Sequence, residues 1–219
     1  MNYSVCLLAA GKGSRTKLEY NKVFYRFSNH PDHKNHSILD RSLFAFLEDA
    51  DCKEVIITCA SDEKEYIGSL YSQYEQVHVV EGGSSRQDSV ACALEHVHYP
   101  KVFIHDAARP YLKREQIEDL KKTLETEKAC LLMIPSVDTV KIVEDGYVKE
   151  TLDRSMIYRA QTPQCFDTEL IKECHKRAKA DHVILTDDAH VVEMYSSVPI
   201  KVVHGVPSNK KVTLPSDLK

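Results

Sequence analysis

The chain has 219 residues, of which 42% are hydrophobic and 28% charged, and its formal net charge is −4. A chain of this length can bury a substantial core, as one large domain or two small ones. The slightly acidic balance excludes the strongly basic surface that is typical of nucleic-acid-binding proteins, so we expect no nucleic-acid partner.

The sequence also argues against membrane insertion and export. No apolar run approaches the roughly 20 residues that a membrane-spanning helix needs. The first apolar run, residues 3–10, is short and lacks a basic segment before it, so we expect no signal peptide. The seven cysteines are scattered and contain no C-x-x-C pair. This usage predicts reduced, mostly buried thiols in a cytoplasmic protein.

Short apolar runs rich in β-branched residues recur along the chain and predict buried strands. They cover residues 5–10, 55–59, 77–80, 102–105, 130–135 and 200–203. Apolar residues recur at helical spacing in residues 37–50, 85–97, 114–127 and 167–180. Strands that alternate with helices predict an α/β fold, with a mostly parallel sheet and helices on both faces. Ligands of such sheets bind beyond the carboxyl ends of the strands.

Two segments break this alternation. Residues 28–37, SNHPDHKNHS, contain three histidines. A metal site is conceivable there, but the spacing matches no standard ligand set, and we expect a solvated loop. In residues 135–161, alternating residues flank Asp145 and Gly146, which predicts a two-residue β-hairpin. Such a hairpin projects from an α/β domain as an arm, and an apolar face on it calls for a partner such as a second subunit.

Residues 7–22, LLAAGKGSRTKLEYNK, follow the first predicted strand and contain two glycines, Ser14, Arg15 and Lys22. The spacing fits neither the Walker A loop nor the dinucleotide fingerprint. A plain tight turn would also explain the glycines. The basic residues favour phosphate binding, because glycine lets backbone N–H groups approach phosphate oxygens and phosphoryl transfer requires fixed positive charge.

Three further polar stretches follow predicted strands, namely EGGSSRQDSV (81–90), HDAARP (105–110) and NKKVTLPSDL (209–218). Asp106 stands at a strand end and suits a magnesium–phosphate complex. A helix cap or a pair with Arg109 would explain Asp106 as well. Arg86 is open to two interpretations in the same way, as a ligand-binding group or as an exposed arginine in the first turn of a helix.

Seven motifs occur in the order expected of one family between residues 3 and 218: LLAAGKGSR…NK, GGSSRQDSV, HDAARP, DTVK, LDRSMIYRAQTPQCF, TDDA and NKKVT-P-DL. Together they resemble the 2-C-methyl-D-erythritol 4-phosphate cytidylyltransferases. The resemblance implies a single domain over residues 1–219 with a Rossmann-like nucleotidyltransferase fold. Residues 135–161 would be an inserted arm for dimerisation and substrate binding.

The resemblance also implies an activity. The chain would join CTP and 2-C-methyl-D-erythritol 4-phosphate to give 4-diphosphocytidyl-2-C-methyl-D-erythritol and pyrophosphate, in non-mevalonate isoprenoid biosynthesis. It implies Mg²⁺ as the cofactor and a cytoplasmic homodimer. The chain also ends short of the closing helix that is usual in the family.

Residue roles carry over from the family motif by motif. Arg15 and Lys22 match the residues that stabilise the transition state, and Asp106 matches the residue near the magnesium ion. Lys211 and Arg154 match further catalytic residues that hold the acceptor phosphate. The substrate-binding positions implied are Ala9, Ala10, Gly11, Gly82, Gly83, Arg86, Ser89, Asp106, Ala107, Thr139 and Thr162. Thr139 and Arg154 lie on the arm and would reach the acceptor across a dimer interface.

Two alternatives stay open at this point. A ribitol 5-phosphate cytidylyltransferase would share the fold, CTP and the basic loop, although HDAARP, LDRS and TDDA favour methylerythritol phosphate. A non-catalytic nucleotide-binding module is the alternative from a different class. The joint presence of Arg15, Lys22, Asp106 and Lys211 argues against it, since binding alone would not need all four.

Overall fold

The structure is a computed structural model that describes residues 1–11, 18–27 and 36–218. The strands are β1 (Tyr3–Leu8), β2 (Cys52–Cys59), β3 (Val77–Glu81), β4 (Lys101–Asp106), β5 (Ala129–Pro135), β6 (Lys141–Glu144), β7 (Tyr147–Thr151), β8 (Tyr158–Asp167) and β9 (Lys201–His204). The helices are α1 (Ile38–Leu47), α2 (Lys64–Leu70), α3 (Arg86–Leu94), α4 (Arg114–Thr123), α5 (Thr168–Ala180) and α6 (Asp188–Tyr195).

Seven of the described strands form one sheet in the order β3-β2-β1-β4-β8-β5-β9. All neighbours are parallel except β8, which runs antiparallel to both β4 and β5. The six predicted strands and the predicted α/β class with a mostly parallel sheet are confirmed.

Strand β8 was not predicted, because it contains Pro163 and proline rarely occurs inside a central strand. The structure shows how the strand accommodates it. Leu131 of β5 pairs with Gln164, whereas Met133 pairs with Ala160, so the ladder is interrupted opposite the proline. Pro163 therefore occupies an irregular point where no regular ladder hydrogen bond is lost.

Two of the predicted helices, α1 and α3, begin at a serine that caps them. Ser37 caps α1 in a capping box with Asp40, and Ser85 caps α3 in a capping box with Asp88. Each box satisfies two N–H groups that a helix start would otherwise leave without acceptors. Helices α2 and α6 were not predicted, because seven or eight residues give too little periodicity to recognise.

The core lies on both faces of the sheet, as buried parallel strands require. On β1, Val5 and Leu7 join the cluster that includes Phe46 of α1. Cys6, between them, faces the opposite cluster, which includes Val90 of α3. The side chains of β1 therefore alternate between two apolar layers, one covered by α1 and the other by α3.

Strands β6 and β7 form a separate two-stranded sheet. Asp145 and Gly146 connect them with φ values of 51° and 83°, the backbone of a type I′ turn, which confirms the predicted hairpin. Every residue of both strands is exposed. Of the predicted arm, residues 135–161, the first residue belongs to β5 and the last four to β8, so the hairpin proper covers residues 141–151.

All seven cysteines are free, and all except Cys92 are buried, as the sequence predicted. Within the described ranges, no helix has the length and apolar character needed to cross a membrane.

Candidate active site

A cavity of about 590 Å³ opens at the carboxyl ends of β1 to β4. Its walls are the segments that follow these four strands, together with Lys22 and Lys211. This is the edge at which ligands of parallel sheets bind. Ten of the predicted site residues line it: Ala9, Ala10, Gly11, Lys22, Gly82, Gly83, Arg86, Ser89, Asp106 and Lys211.

The other predicted residues are either outside the described part of the chain or not among those that line the cavity. Arg15 and Ser14 are outside the described residues, as are residues 28–35 of the histidine-containing segment. The cavity lining does not include Ala107, Thr139, Arg154 or Thr162. Ala107 is fully buried, where its N–H donates to the carbonyl of Leu8 and its carbonyl accepts from Ser42. It therefore joins β1, β4 and α1 beneath the cavity.

Gly82 and Gly83, which follow β3, allow the residues after β1 and the start of α3 to lie close to this loop. A Cβ on Gly82 would lie 2.8 Å from Cβ of Ala10, and a Cβ on Gly83 would lie 2.2 Å from Cβ of Asp88. The Gly83 N–H donates to Oγ of Ser89, which in turn donates to the Ser85 carbonyl at 2.9 Å. Ser89 thus fixes the loop at the start of α3, where the positive end of the helix dipole borders the cavity.

Asn21 positions the chain that carries Lys22. Its Nδ2 donates to the Ala9 carbonyl at 2.9 Å and to Glu63 at 3.0 Å, while its Oδ1 accepts from the Val23 N–H. These contacts join the segment that follows the glycine loop to the end of β1. Lys22 is 8% exposed and reaches the cavity from this support.

Asp106 is surrounded by cations. Its Oδ1 lies 3.2 Å from Nε of Arg86, and its Oδ2 lies 2.8 Å from Nζ of Lys211 and 3.8 Å from Nε of Arg109. Burial disfavours the ionised carboxylate, but the charges of Arg86 and Lys211 outweigh it and hold the pKa of Asp106 far below its usual value. The carboxylate is therefore ionised at neutral pH.

A directed chain of hydrogen bonds holds the loop around Asp106. The Asp106 N–H donates to Oγ1 of Thr162, which lies 3.0 Å from Nδ1 of His105, and Nε2 of His105 lies 3.2 Å from the Arg109 carbonyl. Because a carbonyl only accepts, the proton is on Nε2, and Nδ1 accepts from Thr162. Burial lowers the pKa of His105 to about 4, so the ring is neutral.

Lys211 is positioned by a buried asparagine. Nδ2 of Asn209 donates to the Thr162 carbonyl, and the Asn209 carbonyl accepts from Arg109, both at 2.9 Å. The Val212 N–H donates to the Ala108 carbonyl. The segment that carries Lys211 is thus attached to β8 and to the loop after β4. Asn209 lies in the NKKV motif but was not among the predicted site residues.

Thr139 and Arg154 are exposed on the arm. Nη1 of Arg154 donates to the Val137 carbonyl at 3.2 Å, whereas Asp153 accepts from Ser155. Among the described residues, Arg154 forms no ion pair. The structure therefore does not bring these two residues to the cavity of their own chain.

One carboxylate is available for a metal ion. Asp106 is the only acidic residue among the described residues that line the cavity, and no group of three or more His, Cys, Asp or Glu residues in the described ranges could hold a metal. Mg²⁺ commonly binds one or two carboxylates together with substrate phosphates. A single carboxylate in a cationic cavity fits an ion that arrives with a polyphosphate.

A mostly parallel sheet with a cationic, glycine-walled cavity at its carboxyl edge is typical of α/β proteins that bind nucleotide phosphates. The crystal structure of 4-diphosphocytidyl-2C-methyl-D-erythritol synthase from Anaerococcus prevotii has a TM-score of 0.85 at 28% identity and covers 99% of this chain and 94% of its own. The 2-C-methyl-D-erythritol 4-phosphate cytidylyltransferase from Francisella tularensis has a TM-score of 0.83 at 29% identity and covers 100% and 97%.

The family IspD, 2-C-methyl-D-erythritol 4-phosphate cytidylyltransferase, matches residues 3–219. A relative of that name from Bacillus mycoides is 37% identical over 99% of this chain and 94% of its own length. Another from Clostridium novyi is 36% identical over 97% and 91%. The chain belongs to the 2-C-methyl-D-erythritol 4-phosphate cytidylyltransferase family. This membership confirms the predicted fold and family and favours that activity over the two alternatives.

Proposed function

We propose that the chain transfers the cytidylyl group of CTP to 2-C-methyl-D-erythritol 4-phosphate, releasing pyrophosphate, as a step of non-mevalonate isoprenoid biosynthesis. The observation that carries the proposal is the cavity at the carboxyl edge of the sheet, which Lys22 lines and in which Arg86 and Lys211 contact one carboxylate, Asp106. A triphosphate and an acceptor phosphate together need this excess of positive charge.

In the proposed reaction an oxygen of the acceptor phosphate attacks the α-phosphorus of CTP. One P–O bond forms, the bond between the α- and β-phosphates breaks, and pyrophosphate leaves with the electron pair. Both reactants are anions, so the protein contributes positioning and charge rather than a covalent intermediate. Lys22 and Lys211 supply fixed charge where the anions meet. Arg15, assigned from the sequence to the same role as Lys22, lies outside the described residues.

The nucleotide is held mainly by backbone groups. The segment Ala9 to Gly11 and the pair Gly82 and Gly83 lie side by side in the cavity wall, and we assign the cytosine to the surface that they form together. Ser89 holds Gly83 in place through its hydrogen bonds to Gly83 and Ser85. The start of α3 adds the positive end of its dipole near the phosphates.

We assign Asp106 as the protein ligand of Mg²⁺. When bound with the nucleotide, the ion supplies positive charge to the phosphate oxygens and orients the triphosphate. The roles of the chain's own residues follow from their contacts. Arg86 contacts one oxygen of Asp106, and Lys211 contacts the other at 2.8 Å. Of these two cations, Lys211 is the one that can turn toward an incoming phosphate.

We further propose a cytoplasmic homodimer in which the arm of one subunit completes the site of the other. Large apolar side chains on and around the arm are exposed: Val137, Ile142, Val143, Tyr147, Val148 and Met156. A surface of this kind favours burial against a second copy. Arg154 and Thr139, which are remote from their own cavity, would then bind the acceptor in the second subunit.

A pyrophosphate-release assay tests the activity. CTP is offered with 2-C-methyl-D-erythritol 4-phosphate and, separately, with ribitol 5-phosphate, and formation of the cytidyl product is followed by mass spectrometry. We expect turnover with the first acceptor at least about 100-fold above that with the second, a ratio within the reach of specific polar contacts. Faster turnover of ribitol 5-phosphate would overturn the acceptor assignment. CTP binding without turnover of either acceptor would establish a non-catalytic module.

A further inference from the structure

We propose that Asp188 and His175 are positioning residues, which hold Arg86 and, through Arg86, the carboxylate of Asp106. This inference deepens the proposed function and rests on it for its kinetic consequences. It also gives a role to the TDDA motif, residues 186–189, to which the catalytic scheme above assigns none.

The four side chains, followed by Lys211, form a line of contacts from the core to the cavity. Nε2 of His175 lies 3.3 Å from Oδ1 of Asp188, and Oδ2 of Asp188 lies 2.8 Å from Nη2 of Arg86. Nε of Arg86 lies 3.2 Å from Oδ1 of Asp106, whose Oδ2 meets Lys211. The guanidinium is therefore bound on two of its edges by two different carboxylates, which fixes both its place and its plane.

The core end of this line is more buried than its two cations at the cavity end. The side chains of Asp188 and His175 are 1% and 4% exposed, whereas those of Arg86 and Lys211 are 30% and 36% exposed. A carboxylate as buried as Asp188 is stable only when it is paired and hydrogen-bonded. Asp188 therefore requires Arg86, and its rigid location determines where the guanidinium lies at the cavity wall.

The backbone that carries Asp188 is itself fixed. Asp187 caps α6 through the His190 N–H and accepts from Nε2 of Gln164 on β8, while Oε1 of Gln164 accepts from the Ala189 N–H. The side chain of Gln87, next to Arg86, bonds the loop before α6 at the Val183 carbonyl and the Leu185 N–H. Helix α6 is thus joined to both β8 and the start of α3.

This arrangement orients Asp106. With Arg86 on Oδ1, the carboxylate cannot rotate freely, and Oδ2 stays directed at Lys211 and the cavity. Without the charge of Asp188, Nη2 of Arg86 is held less strongly and can move toward Oδ2 of Asp106. It would then compete with Lys211 and with any cation that accompanies the nucleotide.

The first test compares Asp188→Asn with Asp49→Asn. Asp49 is also buried and also accepts from two side-chain donors, here Tyr3 and Lys121, but it does not line the cavity. We expect Asp188→Asn to raise the KM for CTP about tenfold. The acceptor KM should rise by a smaller factor, since Lys211, which is assigned to the acceptor phosphate, contacts Asp106. Asp49→Asn should lower Tm and leave both KM values unchanged. If both variants lose the same Tm and keep an unchanged KM for CTP, Asp188 has only a structural role.

A double-mutant cycle tests whether Asp188 acts through Arg86. In an Arg86→Gln background, Asp188→Asn should cause no further loss of kcat/KM for CTP, because the group that it positions is already gone. If the two losses multiply, Asp188 does not act through Arg86 and the proposal is wrong.

A third measurement does not depend on catalysis. The Nε–H signal of Arg86 in a ¹⁵N–¹H spectrum is identified by its absence in Arg86→Lys. Asp188→Asn should shift or broaden this signal, whereas Asp49→Asn should not, and an unmoved signal would overturn the proposal. If Asp188→Asn does not fold, His175→Gln is measured in the same way. We expect a smaller shift of the Arg86 signal in this variant, and an unchanged signal would contradict the proposal. A wild-type chain without CTP turnover would refute the proposed function, while this spectrum would still decide the positioning of Arg86.

Discussion

At the scale of single residues, Lys22 combines burial with a place on the cavity wall, supported by Asn21. Lys22→Ala should lower kcat by on the order of 100-fold or more, the loss typical of removing one transition-state-stabilising group, and should change CTP affinity much less. Lys210→Ala, which removes an exposed lysine paired with Asp217, is the control and should leave kcat unchanged. Steady-state kinetics with CTP and the acceptor test this prediction. A near-normal kcat in Lys22→Ala would show that Lys22 does not stabilise the transition state.

Arg154 is the residue assigned to grip the acceptor phosphate. It forms no ion pair with the adjacent Asp153, whose carboxylate accepts from Ser155. A planar guanidinium can bind a phosphate through two hydrogen bonds, and lysine cannot. Arg154→Lys should therefore raise the acceptor KM several-fold, of order 1 kcal/mol of binding, and leave the KM for CTP nearly unchanged. Arg114→Lys, at another exposed arginine, is the control. If Arg154→Lys is silent in acceptor kinetics, the phosphate-binding role is wrong.

The cysteines allow a prediction about reactivity. Cys59 borders the cavity, but burial raises the pKa of its thiol to about 11, so its thiolate fraction is minute at neutral pH and grows about tenfold per pH unit up to that value. Cys92 is the one cysteine that is not fully buried. Brief alkylation at pH 7.5 should modify Cys92 first and the other six only after denaturation, as read by peptide mass spectrometry. Rapid native labelling of Cys59 would contradict this order.

At the scale of elements, the loop before α3 requires glycine, whereas α2 has room for a side chain in place of its own glycine. A Cβ on Gly83 would meet the backbone of Asp88, whereas one on Gly68 in α2 would meet no atom within 4 Å. Gly83→Ala should destabilise the chain and weaken CTP binding, because the capping loop must shift. Gly68→Ala should stabilise it by about 0.5–1 kcal/mol through helix propensity. Urea unfolding and CTP titration of both variants test this, and equal stability would contradict the close packing of the loop.

The elements also show what sequence could and could not predict. Helices α1 and α3 were predicted from apolar residues at helical spacing and the hairpin from its Asp-Gly turn, so a local pattern identified all three. Strand β8 was missed because Pro163 argues locally against a central strand. The same division holds in the cavity: the residues just after β1, β3 and β4 were predictable because each follows a strand. The contact of Arg86 with Asp188 joins residues 102 apart in the chain, and only the folded topology brings them together.

At the scale of the whole molecule, the shared site can be tested by mixing subunits. Lys22→Ala and Arg154→Ala should each be nearly inactive alone. In a dimer with one subunit of each kind, one site would have both Lys22 and Arg154 intact. Equal mixing makes half of the dimers mixed, so about a quarter of wild-type activity should return. Subunit exchange is verified by native mass spectrometry, and the absence of recovery after exchange would show that each site is built from one chain.

The place of β8 in the sheet has a consequence for synthesis on the ribosome. Both sheet neighbours of β5, namely β8 and β9, lie later in the chain than β5 itself, and the second neighbour of β4 is again β8. A nascent chain that has just completed the arm therefore holds four paired parallel strands with β4 as an open edge, and an apolar β5 with no strand beside it. Open edges of this kind template aggregation, so this interval is the vulnerable one. We expect ribosome-bound chains arrested before β8 emerges to be cleaved by protease within β5 and to recruit chaperones, and chains arrested after β8 has emerged to resist cleavage there. Equal resistance at both lengths would show that β5 is sheltered in another way.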